Sequence, residues 1–151
     1  METAQEPLLR IDREGKWYYC GEPLERLGLV QLFYTVLNKQ PDGYYLTTPV
    51  ENVRIEVADV PFAVVSIDAD EAGNITLALN DASHLPLNNE RTLRMSRDNV
   101  LYVSVMERKG EIFEARFSRN AYLHIAEYML EIADSTYVLK SFGTTFTLLI
   151  A

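Results

Sequence analysis

Leu8-Leu9-Arg10-Ile11-Asp12-Arg13-Glu14-Gly15-Lys16-Trp17-Tyr18-Tyr19-Cys20 is the stretch whose reading decides the fold. Leu8 to Asp12 is a short strand, Arg13-Glu14-Gly15 a turn, and Lys16 to Cys20 an aromatic-rich return strand. Gly21-Glu22-Pro23 then opens a helix, with Pro23 at the first helical position, where its missing N–H does no harm. Leu24, Leu27, Val30, Leu32, Phe33, Val36 and Leu37 give that helix a wide apolar face. Pro41-Asp42-Gly43 ends it. Tyr44 to Thr48 is a strand stopped by Pro49, and Val53 to Ala58 is another. In the latter, Val53, Ile55 and Val57 face one way while Arg54 and Glu56 face the other.

Beyond this block come an apolar strand from Pro61 to Ile67, a turn from Asp68 to Asn74 and a strand from Ile75 to Leu79. Asn80 to Asn99 is polar and irregular, with room for a short strand near Thr92 to Met95. Val100 to Glu107 and Glu111 to Phe117 form a hairpin around Arg108-Lys109-Gly110. Ser118 is a helix N-cap. The helix it opens runs to about Ala133, with Tyr122, Ile125, Ala126, Met129 and Ile132 on one face. Thr136 to Ser141 and Thr145 to Leu149 close the chain as a hairpin around Phe142-Gly143.

Strand, turn, strand, helix, strand, strand thus occurs from Leu8 to Ala58 and again from Val100 to Leu149. Gly15 and Gly110 set an offset of 95 between the copies. At that offset Trp17 meets Ile112, Tyr18 meets Phe113 and Val30 meets Ile125. The expectation is an α+β fold of duplicated strand-strand-helix-strand-strand units, divided into residues 1–60 and 61–151. A ligand crevice is expected where the units meet.

The chain has 151 residues, 48% of them hydrophobic and 24% charged, which is a globular composition. A chain this long buries roughly 70% of its unfolded surface and needs no metal or disulfide to hold a core. The net charge of -8 argues against a binder of nucleic-acid polymers, which needs a broad basic surface, and against anionic membranes. Residues 2–6 offer neither the basic start nor the apolar run of a secretory signal. With one cysteine, Cys20, no intrachain disulfide is available, and a reduced cytoplasmic location is expected.

No phosphate loop, nucleophile elbow or paired-histidine zinc motif is present, so no catalytic residue, metal or cofactor is assigned. His124 and Glu127 stand three apart on a helix, which reads as a surface pair. Asp68 to Leu79 begins like a calcium loop, but Ala72 and Leu79 stand where oxygen ligands are required, so a polar hairpin connection is favoured. Arg91, Arg94 and Arg97 form a basic run after seven acids. They read as a solvated stretch, with an anion grip as the alternative. Arg54 with Glu56, and Glu114 with Arg116, each share a strand face. Trp17 and Tyr45 belong to an aromatic cluster able to stack on a base or sugar, or to pack a core.

Ile11 to Tyr19, the block Leu46 to Phe62 with its Thr-Pro-Val-Glu-x-Val-Arg-Ile-Glu-Val run, and Glu114 to Arg119 together resemble an uncharacterised bacterial domain-of-unknown-function family. The resemblance spans nearly the whole chain. Asn80 to Asn99, which lacks glycine, departs from it. It implies two related α+β units, the C-terminal one pleckstrin-homology-like, a nucleotide-like ligand between them, and a role in bacterial signalling. Trp17, Thr48, Glu51, Arg54, Glu56, Glu114 and Arg116 lie in the matching motifs.

The functional expectation is a cytoplasmic protein binding a small anion. Arg54 and Arg116 would hold the charge. Glu51, Glu56 and Glu114 would accept hydrogen bonds or orient the arginines, and Trp17 or Tyr45 would stack. The alternative is a protein–protein adaptor with Thr145 to Leu149 as an exposed edge strand.

Overall fold

The computed structural model describes residues 8–150; the residues 2–6 read above for a secretory signal lie outside them. Fifteen strands and two helices make the described chain mostly β. It divides into two units, Met1–Pro61 and Phe62–Ala151. No helix is long and apolar enough to cross a membrane.

Unit 1 holds one six-stranded sheet and one helix. Strands β1 (Leu9–Ile11), β2 (Trp17–Tyr19) and β3 (Glu22–Pro23) form a meander. Helix α1 (Leu27–Thr35) follows. A second meander is β4 (Leu37–Gln40), β5 (Gly43–Thr47) and β6 (Asn52–Val57). Parallel pairing of β1 with β6 joins them. The register puts Leu9, Ile11, Trp17, Leu37, Leu46 and Ile55 on one face, where all are buried. Val30 and Tyr34 of α1 are buried as well, and Trp17 meets Tyr34 edge-on at 5.1 Å between ring centroids.

The expected helix from Pro23 to Leu37 is shortened at both ends. Cys20 and Gly21, with φ of 50° and 83°, make a two-residue turn between Tyr19 and Glu22. Two successive positive φ values match the right-handed strand twist, and Gly21 adopts its value without strain. Glu22–Pro23 therefore returns along β2 as an edge strand, where proline's missing N–H is tolerated. At the other end Leu37 is fully buried as the first residue of β4, and Pro41-Asp42 is a hairpin turn rather than a helix stop.

Unit 2 begins with β7 (Phe62–Ala69), β8 (Ile75–Leu79) and β9 (His84–Pro86). It continues with β10 (Leu93–Met95), β11 (Leu101–Arg108) and β12 (Glu111–Phe117). These form a second six-stranded sheet. Strand β10 is the short strand allowed near Thr92 to Met95, whereas β9 lies in the stretch expected to be irregular. Helix α2 (Arg119–Ala126) lies against β7 and β12. Ser118 caps it: its Oγ accepts the Ala121 N–H at 3.1 Å. The helix stops seven residues short of Ala133. Leu130–Ala133 is β13, which pairs with β14 (Thr136–Ser141), itself paired with β15 (Thr144–Leu149).

The two large sheets have the same topology. Their orders are β3-β2-β1-β6-β5-β4 and, read in the same sense, β9-β8-β7-β12-β11-β10. In each, the sixth strand runs parallel to the first. The residue after it repeats one backbone bond: Ala58 N–H to Ile11 O at 3.0 Å, and Ser118 N–H to Val64 O at 2.9 Å. The pattern of Leu9–Val57 therefore recurs in Phe62–Phe117. The expected recurrence in Val100 to Leu149 is corrected, because β13, β14 and β15 form a separate three-stranded sheet.

A shared hairpin loop underlies this. Asp12-Arg13-Glu14-Gly15-Lys16 and Asp70-Glu71-Ala72-Gly73-Asn74 close equivalent hairpins. Each is a type I turn followed by a glycine at φ of 82° or 85°, the three-residue loop that matches strand twist. In both, the aspartate accepts backbone N–H groups two and four residues ahead, all at 2.9 Å. Ser96 accepts from Val100 N–H in the β10–β11 loop in the same way, with Asn99 at φ of 59° in the glycine place. The segment with partial calcium-loop spacing is thus a hairpin whose carboxylate serves its own backbone.

The backbone N–H of Asn74 first, and then its side chain, hold the Asp70 carboxyl below its ordinary value of 3.8. A folded-state pKa below the unfolded one contributes stability that is present above the unfolded value and lost as pH falls through the folded one. Asp70→Asn is therefore expected to be less stable than the parent at neutral pH, with the difference shrinking as pH falls below the unfolded value of about 3.8 and through the lower folded one. Urea melts across that range check this; a difference that persists at the acid end contradicts it.

Candidate functional site

Alternation along β6 and β12 creates the candidate site. On β6, Ile55 points into the core while Arg54 and Glu56 are exposed. On β12, Ala115 and Phe117 are buried while Glu114 and Arg116 are half-buried. The repeated topology makes these equivalent positions with the charges exchanged: Arg54 corresponds to Glu114, and Glu56 to Arg116.

In unit 1, Tyr45 is the cross-strand neighbour of Arg54. Both reach Asp42 at the β4–β5 turn. The Tyr45 hydroxyl donates to Asp42 Oδ2 at 2.7 Å, and Arg54 Nη1 lies 3.4 Å from the same oxygen. Arg54 Nη2 donates to the Asp42 carbonyl at 2.9 Å. A Cβ on Gly43 would stand 3.4 Å from Arg54 Nη2, and Gly43 also holds a φ of 147°. A side chain here would meet both strain and the guanidinium. The hydrogen bond to Asp42 is the main cause that raises the Tyr45 pKa. Both charges of the Arg54–Asp42 pair are more than half exposed, and such pairs add at most about 1 kcal/mol to stability.

Glu56 is the parallel-register neighbour of Arg10, whose guanidinium lies 4.1 Å from the Tyr18 ring centroid. The outer face of the sheet thus carries a row of cations, carboxylates and phenols. Thr48 and Glu51 lie in the β5–β6 loop. The Thr48 hydroxyl accepts from Glu51 N–H at 3.1 Å, so it closes its own turn. Trp17 is displaced furthest from its expected role. It is only 2% exposed, on the core face, with Phe33 and Tyr34 against its ring. A core tryptophan has no open ring face for a ligand, whereas Tyr45 lies on the outer face.

In unit 2, Glu114 receives both arms of Arg94, Nε at 2.7 Å and Nη2 at 2.8 Å, the geometry a guanidinium fork favours. The same Arg94 lies 4.1 Å from the Tyr102 ring centroid, and Tyr102 pairs across from Arg116. The arginine run divides its work. Arg91 donates to the Val105 carbonyl at 2.9 Å and ties the 87–92 segment to β11. Arg94 serves Glu114, and Arg97 sits in the β10–β11 loop. They do not converge on a common point. His124 and Glu127 are an exposed pair at 3.9 Å. Among the described residues, no group of three or more His, Cys, Asp or Glu is placed to hold a metal. Asp42 and Arg94 are the members that sequence reading misses. Asp42 reads only as a turn residue, and Arg94 only as part of a run.

Residues 2–60 match the family model described as "Domain of unknown function (DUF1285), N-terminal domain". The crystal structure of a DUF1285 family protein from Silicibacter pomeroyi DSS-3 is 31% identical, with a TM-score of 0.80, over 97% of this chain and 81% of that one. A DUF1285 family protein from Shewanella baltica OS155 is 24% identical, with a TM-score of 0.62, over 80% of this chain and 91% of that one, a likeness of fold. No curated protein matches the chain. A match at this identity over most of both chains, together with the family model over residues 2–60, shows that the chain belongs to the DUF1285 family.

Proposed function

We propose that this protein binds small anionic ligands, nucleotide-like in class, at the outer faces of its two sheets, through Arg54 with Tyr45 on the first and, separately, through Arg116 on the second. The observation that carries the reading is that equivalent strands, β6 and β12, each present an arginine and a glutamate two residues apart on the face turned from the core. Arg54 and Tyr45 already converge on one carboxylate oxygen, that of Asp42, which is the arrangement an oxyanion needs. Glu56 and Glu114 orient neighbouring cations. Thr48 and Glu51 contribute through the shape of their loop. The reading includes a duplicated core, supported by the repeated strand order. It also includes a pleckstrin-homology-like C-terminal part and a signalling role in the bacterial cytoplasm, both carried by the sequence resemblance.

A thermal-shift series with ATP, inorganic phosphate and succinate tests it, because a ligand bound only by the native state raises Tm. The parent is expected to respond to at least one anion, and Arg54→Ala and Arg116→Ala to respond less. Asp42→Asn, which removes the resident competing charge, is expected to respond more strongly. No response to any anion, with all three variants equal to the parent, overturns the reading.

A further inference from the structure

Among the described residues, β13 lies on the edge of the short sheet of unit 2. All four residues of β13 are exposed, Leu130 at 67% and Ile132 at 62%. Register places Leu130 beside Val138 and Thr147, and Ala133 beside Thr136 and Leu149, the last of them 70% exposed. The outer face of this sheet is therefore apolar toward its β13 end. Glu131 points the other way, beside Tyr137, whose hydroxyl it holds by a hydrogen bond that raises the tyrosine pKa. A register shift between Glu131 and Ala133 leaves Ile132 as an extra, unpaired residue.

Along β13 and its chain neighbours the charge has one sign. Between Arg119 and Lys140 the chain carries Glu127, Glu131 and Asp134 and no lysine or arginine. Lys140, on the outer face of β14, lies two residues beyond Val138, the partner of Leu130, and so flanks the start of β13. A second copy of this chain would bring Glu131 and Asp134 against their own kind, which opposes self-pairing. An unpaired strand edge is a template for another strand, and alternate side chains of the added strand supply specificity.

We propose that the free edge of β13 docks an extended segment of a partner protein in which apolar and basic side chains alternate. Apolar side chains continue the outer face of Leu130 and Ala133, beside the exposed Ile132 of the bulge. Basic ones meet Glu131 on the other face, with Glu127 and Asp134 at the two ends. This surface is independent of the arginine positions in the preceding proposal, so either can fail alone.

The test uses the full chain and three short synthetic peptides. One alternates isoleucine with lysine, one alternates isoleucine with glutamate, and one has the basic sequence with a central proline. The first is expected to bind and to slow hydrogen exchange at the amides of residues 130–133. The proline peptide carries the same charge but lacks a ladder donor, and is expected to bind at least about tenfold more weakly. The Leu130→Asn, Ile132→Asn double variant removes exposed side chains, keeps its Tm, and is expected to lose about tenfold or more in affinity for the first peptide. Equal binding of the glutamate or proline peptide, unchanged exchange at 130–133, or a dimer of the chain held through β13 each overturns the proposal.

Discussion

Trp17→Ala is expected to cost about 3–5 kcal/mol of stability, the range for deleting a large buried aromatic. Trp17 is the largest side chain in the core of unit 1, joining β2 to α1 through Phe33 and Tyr34. Its removal leaves a cavity that a nine-residue helix lacking any charged side chain cannot close by moving. The loss also uncouples the segment that follows, because the Tyr34 hydroxyl donates to the Pro61 carbonyl at 2.6 Å. The Trp17 Nε1 is buried without a hydrogen-bond partner. Its indole therefore stabilises by packing alone, and Trp17→Phe is expected to recover most of the loss. Urea unfolding followed by circular dichroism reads both variants. A Trp17→Ala protein as stable as the parent would mean that the indole is not in the core.

Phe113→Ala should be comparably damaging, again about 3–5 kcal/mol. Phe113 is fully buried on β12 beside Met106. The repeated topology gives it a built-in control. Its equivalent on β6 is Val53, which is 37% exposed. Val53→Ala is expected to cost under about 1 kcal/mol, because little apolar surface is returned to water. Denaturant midpoints at constant slope give the comparison, and equal losses at the two positions would contradict the assignment of core faces.

What is legible in the sequence is what depends on neighbours along the chain. Alternation in Val53-Arg54-Ile55-Glu56-Val57 and in Glu111 to Phe117 gives both central strands and the outward direction of their charges. Arg13-Glu14-Gly15 and the polar run Asp68 to Asn74 give the turns, and Ser118 gives the cap of α2. What is illegible depends on partners distant in sequence. Leu24 to Leu37 and Tyr122 to Ile132 satisfy a helical period, but short apolar runs suit strands as well, and β4 and β13 take their ends. Their strand state is decided by pairing with β5 and β14, an energy that no local pattern records. The same cause displaces the repeat. Matching turn glycines aligns Gly15 with Gly110, which occupies a different, two-residue turn after Lys109. The parallel pairings of β1 with β6 and of β7 with β12 align it with Gly73 instead. For the site, alternation finds Arg54, Glu56, Glu114 and Arg116 but cannot say which face an aromatic takes. Tyr45 stands outside and Trp17 inside for that reason.

The central claim is that outward-facing arginines on equivalent strands of two like sheets, Arg54 and Arg116, each receive an anion, and the most direct measurement is made on the arginines themselves. Resonances of the Nε–Hε groups of Arg54 and Arg116 can be followed by NMR while ADP or inorganic phosphate is added to the full chain. The predicted result is saturable shifts at both side chains and at Tyr45, abolished for each arginine by its own alanine substitution. Shifts that never saturate and spread evenly over the surface, or saturable shifts that bypass Arg54, Arg116 and Tyr45, would contradict it.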